Sequence, residues 1–212
     1  MASKGSYVAG TDGTDFQHRQ RVVSSHSSSI LAKHYLKITF YLHFLLYLII
    51  ILKLSEDILD RMDIFILELQ ELAIPKPDLW EWAYGLSFLF TFFGARSFRN
   101  NSIAMIKIYL FAIVTLTIGP IIMAQFQYSN DFIKFISERN TQHLQYVWRD
   151  IPIAVVFEAF TIIAIQIHLF QIYFAYKLLK IWSSYSRKRQ LNQSQQQQQS
   201  ISVQEQKLKK FQ

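Results

Sequence analysis

Four long apolar stretches constrain the fold of this 212-residue chain more than any other feature. They lie at about residues 34–54, 79–98, 102–126 and 151–176, and each reaches the roughly 20 residues that a helix needs to cross a bilayer. The sequence between them is too short to cover four such helices in a soluble core. We therefore predict an all-α polytopic membrane protein, with four transmembrane helices in one domain over residues 34–182.

The ends of these stretches carry residues that are typical of membrane boundaries. Lys37 and Lys53 flank the core of the first stretch, where their long side chains can reach the headgroups. Trp80 and Trp82 lie near the start of the second, as in an interfacial aromatic belt. Pro120 lies inside the third, where a local distortion of the helix is expected.

The composition excludes several other classes of protein. Hydrophobic residues make up 51% of the chain and charged residues only 17%, against about 25% in soluble domains. The absence of cysteine excludes disulfide scaffolds, thiol chemistry and the common structural zinc sites. The net charge of +7 would favour nucleic acid as a partner if the basic residues formed one patch, but their distribution follows a different rule.

The charges alternate between the segments that connect the apolar stretches. The N-terminal segment, the 96–107 loop and the tail are basic, whereas residues 53–81 carry eight acidic and three basic residues and residues 131–150 are balanced. Basic connections stay in the cytosol. The pattern predicts cytosolic termini and a lipid bilayer as the main partner, and it explains the net charge without nucleic acid.

An additional amphipathic helix is predicted at residues 55–73. Apolar residues recur there at helical spacing, acidic residues fill the other faces, and Pro75 and Pro77 end the pattern. We expect this helix to lie on the lumenal interface or to prolong the first span. A partner-binding helix is the alternative.

The N-terminal segment, residues 1–33, contains the polar motif GTDGTDFQH. This motif is too polar for a core, and its charged residues favour a capped turn or a partner-docking motif. The candidate docking residues are Asp12, Asp15, Phe16, His18 and Arg19.

Residues 183–212 are rich in glutamine and serine, which predicts a disordered cytosolic tail. Lys209 and Lys210 stand fourth and third from the end of the sequence. This is the spacing of the dilysine signal by which the coatomer (COPI) coat retrieves membrane proteins to the endoplasmic reticulum (ER). We predict that these two lysines are a sorting signal and that coatomer is a partner.

Three polar side chains in the fourth stretch, Glu158, Gln166 and His168, are candidates for a functional role, because polar groups are costly inside a membrane. His43, in the first stretch, is a candidate for the same reason. Hydrogen bonding between helices is the simplest interpretation. A proton or small-solute pathway along a Glu158/Gln166/His168 face is the alternative. Because no nucleophile triad, phosphate loop or metal motif is visible, we predict that the chain is not an enzyme and uses no metal or cofactor.

Several sequence blocks resemble the Jagunal family. They are GTDGTDFQHRQRV at residues 10–22, the basic Asn-Asn turn at residues 97–101, and AIQIH, QIY and KLL between residues 164 and 179. They occur in the family's order along almost the whole chain. The resemblance implies a multi-pass ER membrane protein, without catalytic residues, that organises the ER and supports early secretory transport. A homo-oligomer is compatible with the sequence.

Overall fold

The computed structural model of the chain describes residues 14–138, 144, 147–149 and 151–210. Within these ranges the chain is almost wholly helical, which confirms the all-α prediction. A 3₁₀ turn at Phe88–Phe90 and a π-helical turn at Val114–Ile118 each connect two α-helical segments without a break. The elements are α1 (Thr14–Arg61), α2 (Leu67–Gln70), α3 (Leu79–Ser87), α4 (Thr91–Asn100), α5 (Ile103–Ile113), α6 (Gly119–Glu138), the antiparallel strands β1 (Val147–Trp148) and β2 (Ile151–Pro152), and α7 (Ile153–Lys210).

The two longest helices, α1 and α7, form an antiparallel pair. Their contacts run in opposite directions along the chain, since Trp182 donates to Ser29 and Gln171 donates to the carbonyl oxygen of Thr39, each at 3.1 Å. Helices α3–α6 pack against this pair. The buried apolar residues form two groups, which we name the basic-end cluster (Ala32, Leu36, Ile106, Tyr109, Ile113, Ala175, Leu178, Trp182) and the acidic-end cluster (Leu46, Ile50, Leu54, Trp80, Tyr84, Ile121, Ala124, Tyr128, Ala154, Phe157, Ala164, Ile167).

The connections with different charge lie at opposite ends of the bundle. At the basic end, the Lys33 ammonium donates to the Phe98 carbonyl oxygen at 3.0 Å and lies 5.5 Å from the centre of the Trp182 ring. This contact joins α1, α7 and the last turn of α4. At the acidic end, the Trp148 indole donates to the Leu72 carbonyl oxygen at 2.9 Å, which joins the first and third connections.

Three of the described helical runs are long and apolar enough to cross a membrane, and they cover all of the predicted first span and nearly all of the third and fourth. These runs are His26–Arg61, Ile103–Glu138 and Ile153–Gln195. The predicted second span forms a continuous helical run, α3 to α4, that is roughly 33 Å long at about 1.5 Å per residue. Glu81 and Arg96 lower its hydropathy. The count of four spans stays a prediction.

The expected distortion near Pro120 is the π-helical turn that precedes it. Proline has no N–H group to bond the carbonyl of Leu116, so a regular α-helix would lose that bond and meet the proline ring. A widened turn is a common way to absorb such a defect. The Thr117 hydroxyl donates to the Ile113 carbonyl oxygen, so this backbone oxygen has a polar partner inside the apolar helix.

The structure divides the predicted amphipathic helix at residues 55–73, and only its first part prolongs the first span as one interpretation expected. Residues 55–61 prolong α1, and only Leu67–Gln70 is helical beyond them. The break occurs because Asp63 adopts a left-handed conformation, with φ of 56°, and the Ile64 N–H bonds the Leu59 carbonyl oxygen at 3.0 Å. This is the Schellman arrangement that ends helices, and Asp is among the residues that tolerate it.

The predicted disordered tail also differs from the structure, because α7 continues through Lys210. Residues 183–210 contain no glycine or proline, and Gln, Lys and Arg have high helix propensity. The described side chains after Trp182 are exposed or only partly buried, so tertiary packing contributes little to this extension. Two span boundaries shift as well, since α6 extends to Glu138 and α7 begins at Ile153, after the short strand β2.

Candidate functional site

A buried hydrogen-bonded network joins α1, α3 and α7 and includes Tyr84 of the acidic-end cluster. We name it the polar layer and define it as His43, Tyr84, Ser87, His168 and Gln171. The side chains of His43, His168, Ser87 and Gln171 are fully buried, and Tyr84 is 1% exposed. Such residues are costly in an apolar surrounding unless their polar atoms find partners.

Helical spacing explains how each helix contributes its part of the polar layer. Tyr84 and Ser87 are three residues apart on α3, and His168 and Gln171 are three residues apart on α7, so each pair shares a face. The Ser87 hydroxyl donates to the Tyr84 carbonyl oxygen at 2.5 Å, which leaves its oxygen to accept from His43 Nε2 at 3.2 Å.

The hydrogen bonds around His168 form a chain with one direction. The Tyr84 hydroxyl donates to His168 Nε2 at 2.8 Å, and His168 Nδ1 donates to Gln171 Oε1 at 2.8 Å. The Gln171 amide then donates to the Thr39 carbonyl oxygen on α1 at 3.1 Å. This pattern requires a neutral His168 with its proton on Nδ1. The chain of bonds fixes the rotation of α7 against both neighbouring helices.

The two imidazole rings of the polar layer face each other edge to face. Their centres are 4.8 Å apart and their planes meet at 85°. In the described part of the chain, His43 Nδ1 is buried without a hydrogen-bond partner, whereas both ring nitrogens of His168 are bonded. The described residues contain no group of three potential metal ligands. The arrangement can therefore hold helices together or bind one further hydrogen-bond donor at His43.

The three predicted intramembrane polar residues are not brought together. His168 belongs to the polar layer, whereas Glu158 is half-buried on α7 and accepts from the amide of Gln125 on α6. Gln166 is exposed on another face of α7. They therefore form no common polar face.

Sequence reasoning missed three of the five residues of the polar layer as candidates. His43 is visible as a lone histidine in the first apolar stretch, but Tyr84, Ser87 and Gln171 do not stand out in the sequence. The only local signal is the recurrence of paired polar residues three apart on two apolar helices. These side chains meet only because the helices pack in one particular register, and the periodicity of a single helix does not predict that register.

The other predicted site residues fall at the edges of the described chain. Asp12 lies outside the described residues, and Asp15, Phe16 and His18 belong to α1, with side chains outside the description. Arg19 is exposed at the start of α1. Lys209 and Lys210 end α7, and their side chains also lie outside the description. Both groups of residues stay predictions.

Comparison with known proteins decides the family. The family model described as "Jagunal, ER re-organisation during oogenesis" matches residues 1–186. Protein jagunal of Drosophila pseudoobscura pseudoobscura is 38% identical over 194 residues, which cover 89% of this chain and 98% of that protein. The chain belongs to the Jagunal family. Protein jagunal homolog 1 of Homo sapiens is 28% identical over 193 residues, with 89% and 98% covered.

The match separates two parts of this Jagunal family member. The polar layer, both buried clusters and the GTDGTDFQH motif all lie inside the matched residues 1–186. The glutamine-rich segment and the two final lysines lie beyond them. The bundle is therefore the part of the chain to which the family description applies.

Proposed function

We propose that this chain is a non-catalytic, multi-pass protein of the ER membrane that supports ER organisation and vesicle transport in the early secretory pathway. The observation that carries the proposal is the family match over residues 1–186, whose description names ER re-organisation. Three described helices of suitable length and composition support a membrane location. The names of the relatives mention no catalytic activity.

Depletion of the protein tests this function directly. Cells that lose the chain should show altered ER distribution and slower export of a secreted reporter, and the wild-type chain should restore both. Fluorescent imaging of an ER marker and pulse-chase of the reporter measure the two effects. Normal ER distribution and normal export after depletion would contradict the proposal.

The topology that we propose has both termini in the cytosol. Its support is the charge pattern together with the contacts at each end of the bundle: Lys33 joins the basic connections, and Trp148 joins the connections poor in basic charge. Orientation across the membrane then follows from the rule that basic connections stay in the cytosol.

Glycosylation mapping tests this topology with one substitution. Gln142→Ser creates an Asn-X-Ser acceptor at Asn140 in the third connection, and this asparagine should then acquire a glycan in ER membranes. The natural acceptor at Asn192 serves as the matched control and should stay unmodified. A glycan on Asn192 together with none on Asn140 would invert the proposed orientation.

Retrieval by coatomer is the second part of the proposal. Lys209 and Lys210 have the dilysine spacing in a basic segment that the charge pattern assigns to the cytosol. Recognition requires two ammonium groups at fixed distances from a free carboxylate after Gln212. Mass spectrometry of the purified protein first checks that Gln212 is the last residue.

Two changes should then have the same effect on retrieval. Replacing both lysines with serine removes the ammonium groups, and appending several residues moves the carboxylate out of register. Each should release the protein to later compartments and abolish capture of coatomer by tail peptides. Arg187→Ser with Lys188→Ser removes the same charge upstream and should leave retrieval unchanged. Retention of the double-serine variant in the ER would refute the dilysine role.

A docking role for the N-terminal motif is the third part. The motif lies inside the family match, before the first apolar stretch, and its charged residues suit a protein partner. Affinity capture with the full chain and with Asp15→Ala/Arg19→Ala should differ in at least one reproducible partner. Identical captured proteins would remove this role.

The transporter alternative has a weaker basis, because Glu158 and Gln166 occupy different surroundings. We propose that Glu158 holds α7 to α6 through Gln125, a contact that a neutral amide can also make. Glu158→Gln should therefore leave abundance and ER organisation unchanged. Loss of function at normal abundance would instead favour proton or solute transport.

A further inference from the structure

A lateral cavity of about 340 Å³ lies between α1 and α7 towards the acidic end of the bundle. Its volume is within the roughly 300–1,000 Å³ range of ligand pockets. The lining is apolar except at one edge. Ile50, Leu52, Val156, Phe157 and Phe160 are among the residues that line it.

The cavity opens where the helices of the bundle meet their surroundings. Leu52 on α1 is 69% exposed and Val156 on α7 is 50% exposed, and both line the cavity. These two helices belong to runs that can span a membrane. In the membrane location proposed above, the opening of the cavity between α1 and α7 faces the acyl chains of the surrounding lipids. Trp148 and Pro75, from the two connections at the acidic end, line the cavity as well.

The polar edge of the cavity is an ion pair between Lys53 and Glu81. The Glu81 side chain is 1% exposed, and in the described part of the chain its Oε2 atom has no hydrogen-bond partner. The Lys53 side chain is 24% exposed, and its ammonium has three donors, of which Glu81 accepts one. A further anionic group can therefore approach Lys53 without displacing Glu81.

We propose that this cavity binds one membrane phospholipid, with an acyl chain between α1 and α7 and the phosphate beside Lys53. A space with such an apolar lining is a poor site for water, which needs two to four polar partners. Acyl chains are the most concentrated apolar groups around a spanning helix. A lysine at the edge of a span is positioned to meet the phosphate of the same lipid. The inference rests on the membrane location proposed above.

Photocrosslinking in vesicles tests the acyl-chain contact. The full chain is reconstituted with a phosphatidylcholine that carries a photoactivatable group in its acyl chain, and labelled peptides are mapped by mass spectrometry. Label should concentrate on the cavity-lining segments around Ile50 and Phe157. Val156→Trp fills the cavity and should lose this label, whereas Ile163→Trp, two turns along α7 and outside the lining, should retain it. Equal labelling of the two variants would overturn the proposal.

A paired substitution tests the phosphate contact. Lys53→Gln with Glu81→Gln keeps a hydrogen-bonding pair and the net charge, but it removes the ammonium group that would meet the phosphate. It should reduce labelling by the phospholipid to the level of a diacylglycerol probe with the same chain, which has no phosphate. Unchanged preference for the phospholipid would refute the role of Lys53. Co-flotation of each variant with vesicles checks the membrane location separately, so failure of the proposed location is distinguishable from failure of the lipid site.

Discussion

The polar layer and the basic-end cluster hold the same long helices together by different means. The polar layer joins α1, α3 and α7 through directed hydrogen bonds, such as the one from Tyr84 to His168. The basic-end cluster joins α1, α5 and α7 through closely packed apolar surfaces around Leu36, Tyr109 and Leu178. The polar layer depends mainly on hydrogen-bonded partners, whereas the basic-end cluster depends mainly on the fit between apolar side chains.

This difference has a physical meaning for helices in a bilayer. Lipid chains are as apolar as the side chains of the bundle, so burying Leu36 away from lipid contributes little hydrophobic free energy. Association then depends on packing and on interhelical hydrogen bonds. We therefore expect the polar layer to specify the rotation of each helix and the basic-end cluster to specify how closely the helices approach.

The largest effect should come from removing His168. His168→Leu introduces an apolar side chain of similar size and leaves the Tyr84 hydroxyl and Gln171 Oε1 without their partner. Two orphaned polar groups should lower the free energy of unfolding by about 2–3 kcal/mol. Gln166→Leu, on an exposed face of the same helix, is the matched control and should change it little. Unfolding in mixed detergent micelles, followed by tryptophan fluorescence, measures both.

His168→Leu and Gln166→Leu would change the free energy of unfolding by the same amount if the polar layer did not support the fold. Equal stability of the two variants would mean that the hydrogen bonds of His168 are replaced by equivalent ones when the helices separate in the membrane.

The polar layer also marks the limit of prediction from sequence. The apolar stretches predicted the helices because charge and length constrain a spanning segment locally. Asn101, which adopts the left-handed conformation with φ of 50°, ends α4 inside the predicted Asn-Asn turn. In contrast, the meeting of His43 with His168 depends on the register of helices that are more than a hundred residues apart in the chain. Hydrophobic periodicity indicates which face of its own helix a residue occupies. It does not indicate which face of another helix that residue packs against.

The second effect concerns the close approach of α4 to α1 and α5. A Cβ atom at Gly94 would lie 2.7 Å from Phe40 Cζ and 3.0 Å from Tyr109 Cδ2. Phe40 cannot easily move, because its ring stacks on Phe98 with centres 5.8 Å apart. Gly94→Ala should therefore lower the free energy of unfolding by about 2 kcal/mol, as overpacked cores do.

Gly85 provides the control for this effect. A Cβ atom there would meet Leu54 Cδ1 at 3.7 Å, which is ordinary contact. Gly85→Ala should leave stability unchanged or raise it by up to about 1 kcal/mol, because alanine favours a helix over glycine. The same detergent titration compares the two variants. Equal effects of the two substitutions would show that the helices can separate enough to accept a methyl group at Gly94.

The smallest effect distinguishes two buried tyrosines, one in each layer. The Tyr84 hydroxyl donates to His168, whereas in the described structure the Tyr109 hydroxyl is buried without a partner. Tyr84→Phe should cost about 1 kcal/mol, because it removes one hydrogen bond and leaves His168 Nε2 unpaired. Tyr109→Phe loses no hydrogen bond and keeps the edge-to-face contact with Phe40, so stability should stay the same or rise.

The two tyrosine variants test the comparison most directly, because each removes only one oxygen atom. If Tyr109→Phe is as harmful as Tyr84→Phe, the Tyr109 hydroxyl must have a polar partner when the protein is in lipid, and the basic-end cluster depends on a hydrogen bond at Tyr109 as well as on packing. If Tyr84→Phe is harmless, directed hydrogen bonds do not specify the rotation of α7. A cost at Tyr84 alone would mean that the chain separates the two tasks, with the polar layer setting rotation and the basic-end cluster setting distance.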